Sequence, residues 1–106
     1  MYQYRAIVRR VYDGDTIWLD VDLGMETWLT NQVIRLHDVW APEVRGPERP
    51  IGLTIRDALR ERLPIGKTVT IDTHKDSRGK YGRWIADIHD DDGSVNEWLR
   101  ELIGGG

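Results

Sequence analysis

Apolar positions along this chain follow two periods, and the places where the period changes mark its elements. Residues 4–12 are rich in aromatic and β-branched types, and 16–23 alternate Ile17, Leu19, Val21 and Leu23 with polar neighbours. Asp13-Gly14 lies between them, a turn dipeptide, so the two runs predict a β-hairpin. Residues 27–36 predict a third strand, with Trp28, Val33, Ile34 and Leu36 apolar. Arg35 sits between two of these and therefore projects from the opposite face. Three prolines and a glycine between 40 and 50 predict an irregular loop. Ile51, Ile55, Leu59 and Leu63 then recur every four residues, the spacing of an amphipathic helix, which Pro64 and Gly66 end. Residues 68–73 predict a fourth strand, the polar 74–82 a loop, and 84–89 a fifth strand with Trp84, Ala86 and Ile88 on one face. Asp92-Gly93 turns the chain into a last helix, where Ser94-x-x-Glu97 fits a capping box and Val95, Trp98, Leu99 and Leu102 form the apolar stripe.

Five strands, a helix between the third and fourth, and a terminal helix predict an α+β, mainly β fold, a five-stranded Greek-key barrel of the OB type with two main helices. At 106 residues the chain suits one domain, taken as 1–103 with a 104–106 glycine tail. With 40% hydrophobic and 31% charged residues, disorder is disfavoured, and the lack of Cys removes disulfides and thiolate metal sites. No apolar run approaches a membrane span and no leader pattern is visible, so the expectation is a soluble monomer of open compartment. Trp18, Trp28, Trp84 and Trp98 lie on periodic segments and are assigned to packing. His37, His74 and His89 show no metal-ligand spacing and read as surface histidines.

The formal charge of −3 argues against a protein that coats nucleic acid electrostatically, but leaves room for a local phosphate site. Arg35, Glu43 and Arg83 supply the materials, because a phosphodiester under attack needs fixed positive charge on its oxygens and a positioned water opposite. Arginine's planar fork matches phosphate oxygens better than lysine's point charge. Asp13-Gly14-Asp15-Thr16 adds carboxylates; taken alone it is a turn with Asx hydrogen bonds.

In order and spacing, Asp13-Gly14-Asp15-Thr16, Arg35, Pro42-Glu43, Lys80-Tyr81-Gly82-Arg83 and Val95-Asn96-Glu97 resemble the staphylococcal nuclease-like (thermonuclease) family, over nearly the whole chain. The resemblance implies metal-dependent hydrolysis of DNA or RNA. It implies Asp15 and the Ala41 carbonyl as ligands of a divalent cation, calcium by the family's habit with magnesium as the alternative, and Asp13 in support. Glu43 would position or deprotonate the water, Arg35 and Arg83 would clamp the phosphate, and Lys80 and Tyr81 would contact the nucleotide. Ala41 replaces the family's threonine without loss of a carbonyl. Trp40 stands where the family has its second metal-binding aspartate, so weakened cation affinity is expected. Three consequences are open: Asp38 takes over part of the ligation, the cation is held weakly with waters and the substrate phosphate, or catalysis is lost and Trp40 stacks on a base in a binding module.

Overall fold

A computed structural model describes residues 2–78 and 84–104. Strands β1 (Tyr2–Asp13), β2 (Thr16–Gly24) and β3 (Thr27–Leu36) form an antiparallel meander. A short 3-10 turn at Gly46–Glu48 leads into helix α1 (Arg49–Arg62). Strand β4 (Thr68–Arg78) pairs antiparallel with β1, and β5 (Trp84–Asp90) with β4. The sheet closes where β5 runs parallel to β3, Ile34 opposite Trp84 and Leu36 opposite Ala86. Two residues, Gly93–Ser94 (β6), extend β5 before helix α2 (Val95–Gly104). The result is a closed five-stranded mixed barrel with two helices, the OB-type α+β arrangement predicted.

Alternation fills the barrel. Ala6, Val8, Ile17, Leu19, Ile34, Leu36, Ile71, Ala86 and Ile88 point inward and are buried, while Ile55, Leu59 and Leu63 of α1 and Val95 and Leu99 of α2 cap the core. The end of α1 is tied to the end of β5 by Arg62, whose Nε and a second nitrogen donate to the two Asp90 oxygens at 2.8 Å each, with Lys67 Nζ 3.7 Å away. This bonding holds the Asp90 carboxyl down at about 2. The Arg62 guanidinium also lies over the Trp98 ring at 4.9 Å, which joins α1 to α2.

The elements differ from the sequence reading in places that have physical causes. Strand β4 runs to residue 78 rather than 73, continuing past a register shift between Thr73 and Arg78. Helix α1 begins at Arg49, because Pro50 fits a helix's first turn, where its missing N–H costs nothing. The capping hydroxyl is in place, with Glu97 N–H donating to Ser94 Oγ at 3.1 Å. Trp28 is not a core residue. It lies in the outer half of β3, where residues 27–31 are all exposed because the β2–β3 hairpin projects beyond the barrel. Trp18, Trp84 and Trp98 are half-buried, as their assignment to packing requires.

Candidate active site

The β1–β2 turn, the exit of β3 and the start of α1 converge at one end of the barrel, and two glycines make the convergence fit. A Cβ on Gly14 would stand 2.7 Å from Ala41 Cβ and 2.8 Å from Ile55 Cγ2. A Cβ on Gly52 would overlap the Glu43 carbonyl and lie 2.9 Å from that of Pro42. Only glycine permits this approach, so α1 fixes the height at which residues 41–43 pass the turn.

The Asx hydrogen bond predicted for the turn is present: Asp15 N–H donates to Asp13 Oδ1 at 3.0 Å. It leaves the Asp15 side chain facing the β3 exit. Its Oδ1 accepts from the Thr16 hydroxyl at 3.1 Å. Its Oδ2 lies 3.6 Å from Arg35 Nη1 and 3.4 Å from the donating N–H of Ala41. The structure thus brings together Asp13, Asp15, Arg35 and Ala41. The contact to Ala41 runs through its N–H; a ligand role for its carbonyl rests on the resemblance alone.

Arg35 is half-buried and held on two sides. Nη1 donates to the carbonyls of Leu36 at 2.9 Å and Val39 at 2.7 Å, which pins the chain as it leaves β3. The guanidinium carbon then lies 4.9 Å from the centre of the Trp40 ring, and 77% of Trp40 is exposed. Trp40 therefore covers the arginine on one side and offers its ring to solvent. Asp38, with φ of 55°, sits exposed in the left-handed turn before it, and among the described residues no hydrogen bond or ion pair ties its carboxylate to Asp15. Glu43 is exposed, and among the described residues its carboxylate has no hydrogen-bond or ion-pair partner. Lys80, Tyr81 and Arg83 lie outside the described residues.

Burial, reinforced by the nearby Asp13 carboxylate, pushes the Asp15 carboxyl up to about 6, against the opposing pull of Arg35. An ionised Asp15 is thus a strained negative charge that an added cation would relieve. The donor set meets that cation only in part. Calcium takes about six to eight oxygens, and here Asp15 brings one carboxylate to the β3 exit, Asp13 is engaged by the Asp15 N–H, and Trp40 contributes none. The residues present fit a hard ion that keeps most of its water, as magnesium does.

The raised value has a consequence for stability. A carboxyl with a higher pKa folded than unfolded contributes stability that is complete below the unfolded value near 3.8 and lost as pH rises through about 6. Asp15→Asn keeps the neutral form at every pH. It is expected to match the parent at pH 4 and to exceed it at pH 7.5 by about 1–2 kcal/mol, after allowing for solvent screening. Urea unfolding at the two pH values checks this, and equal stability at both would show that the charge is not strained.

Comparison of the chain with protein-family models and with curated proteins gave no match.

Proposed function

We propose that this chain is a metal-dependent phosphodiesterase that cleaves DNA or RNA, a nuclease of the staphylococcal nuclease type. The observation that carries the reading is the pairing of Asp15 with Arg35, 3.6 Å apart where the β1–β2 turn meets the exit of β3, with the carboxyl strained and the guanidinium fixed by two carbonyls. A cation bound there would supply Lewis-acid polarisation of the phosphate. Asp15 holds it, Asp13 orients Asp15, and Arg35 takes charge off a non-bridging phosphate oxygen. Glu43, free of partners among the described residues, orients the attacking water or accepts its proton. Arg83 is the second clamp, and Lys80 and Tyr81 contact the nucleotide, on the strength of the sequence resemblance.

A second reading is favoured by Trp40. An exposed ring backed by an arginine is a stacking platform for an unpaired base, and a barrel of this type suits single strands. On that reading the domain binds without cutting.

The two separate in one experiment. Labelled single-stranded DNA and RNA are incubated with calcium, magnesium, manganese or a chelator, with Asp15→Ala purified in parallel. Cutting that needs a metal and falls at least about 100-fold in Asp15→Ala is expected. Binding of the oligonucleotide with no cutting under any ion would replace the nuclease by the binding module.

A further inference from the structure

A second constellation lies away from the Asp15 turn, on the outer surface where β3, β4 and β5 meet. Strand register builds it. Asp72 of β4 stands directly opposite Asp87 of β5, and because side chains alternate, His74 and His89 share that outward face while Ile71, Ala86 and Ile88 point into the core. Two carboxylates facing one another across a sheet repel, and each has recruited a histidine: His89 Nε2 lies 2.9 Å from Asp72 Oδ2, and His74 Nε2 lies 2.6 Å from Asp87 Oδ2. His37, the residue after β3, completes the group. Its Nδ1 is 3.7 Å from Asp87 Oδ1, and its ring stacks on that of His74 with centroids 3.9 Å apart and planes 25° apart.

We propose that His37, His74 and Asp87 form a three-ligand site for a borderline divalent transition-metal ion of the zinc class. One ligand atom from each of the three lies within 4.8 Å of the others. A tetrahedral ion with bonds of about 2.0–2.2 Å needs its ligand atoms about 3.3 Å apart and in the plane of each ring, so the group closes on the ion by side-chain rotations that unstack the two imidazoles and exchange the His74–Asp87 hydrogen bond for metal bonds. The donor set, two imidazoles and one carboxylate, suits zinc and its neighbours rather than calcium. Backbone positions are fixed beforehand. The His37 N–H donates to the Ala86 carbonyl at 2.9 Å, and the His37 carbonyl accepts from Asn96 Nδ2 at 3.0 Å and Arg100 Nη1 at 3.3 Å, while His74 and Asp87 sit on paired strands. The ion also offsets the repulsion between Asp87 and Asp72. His37 is 46% exposed, so the remaining coordination position opens to water or to a ligand atom from solvent. The ion would clip the exit of β3, which carries Arg35 and Trp40, to the β4–β5 pair.

The test uses the full chain, untagged and stripped with a chelator. Zinc chloride is titrated calorimetrically, and the histidine ring protons are followed by NMR in parallel. One equivalent is expected to bind, with the His37 and His74 ring signals shifting and those of His89 staying in place. His37→Gln, His74→Gln and Asp87→Asn should each weaken zinc at least about 100-fold, as ligand loss exceeds the usual cost of losing a supporting residue. His89→Gln and Asp15→Ala should each leave affinity within about threefold, since neither supplies a ligand. Absence of binding, zinc affinity retained in His37→Gln, or affinity lost in Asp15→Ala would each overturn the assignment. The NMR result on the parent chain decides the matter even if a variant fails to fold.

Discussion

Asn96→Ala is expected to lower the unfolding free energy by about 3 kcal/mol, enough to drop Tm by roughly 10–20 °C in a domain of this size. Asn96 is fully buried at the start of α2, and its amide is spent on three backbone groups, two on β5 and one just past β3. Its Oδ1 accepts from the Ile88 N–H at 2.9 Å, and its Nδ2 donates to the carbonyls of His37 at 3.0 Å and Ala86 at 3.2 Å. The two carbonyls have second donors, since Arg100 reaches His37 and the His37 N–H reaches Ala86. Among the described residues the Ile88 N–H has no such second partner. Alanine would leave that donor orphaned beside a small cavity at a fully buried position, and the orphan accounts for most of the loss. Asn96→Asp is the sharper comparison. It preserves shape and still accepts from Ile88, but its second oxygen would face two carbonyls and carry buried charge, so it should cost at least as much as alanine near neutral pH. Urea unfolding with the slope held constant reads both values. A loss under 1 kcal/mol for alanine would mean that α2 docks by its apolar stripe alone.

The same asparagine shows what sequence reading reaches and where it stops. Val95-Asn96-Glu97 is visible as a motif, but a polar residue inside an apolar stripe does not announce which strands it bonds. Elements set by local pattern were legible: the Asp13-Gly14 hairpin, the four-residue period of α1 and the alternation that turns Arg35 away from Ile34 and Leu36 are properties of neighbours in sequence. What depends on register was not. His37 and His74 are far apart along the chain and meet only because β3 and β5 run parallel and β4 pairs with β5 in the observed register. Pattern places them at the surface, where they lie, but gives no sign that His37 and His74 stack. The periodic segment around Trp28 predicts packing, but its half of β3 is exposed from 27 to 31. At the candidate active site, the residues singled out by the family resemblance, Asp13, Asp15, Arg35 and Ala41, are in contact. The anchoring of Arg35 to the Leu36 and Val39 carbonyls and its place over Trp40 have no sequence signature, because an arginine on a strand face gives no sign of which carbonyl it will find.

That anchoring shapes the largest effect expected on activity. On the nuclease reading, Arg35→Ala should reduce turnover by about 10²–10³, the usual loss when one fixed donor to a developing charge is removed. Nη1 is occupied by two carbonyls and Trp40 packs over one side, so on that reading the guanidinium would work as a rigid plate whose remaining N–H groups meet the phosphate. Arg35→Lys separates charge from geometry. Lysine restores the positive charge but cannot bond two carbonyls and a phosphate from one fixed plane, so it should recover no more than about tenfold. Structural cost must be read alongside, because the Leu36 and Val39 carbonyls lose a donor in both variants; a stability loss of about 1–2 kcal/mol is expected and leaves the domain folded. Turnover measured at saturating metal, with unfolding curves on the same samples, distinguishes the outcomes. Full activity in Arg35→Ala would remove Arg35 from the phosphate and leave it as the pin of the β3 exit. Full activity in Arg35→Lys with loss in Arg35→Ala would make the site one of charge rather than of oriented donors. If the parent chain binds oligonucleotide without cutting it, the same pair of variants is read in Kd, and weakening in Arg35→Ala would place the arginine and its tryptophan in the binding surface.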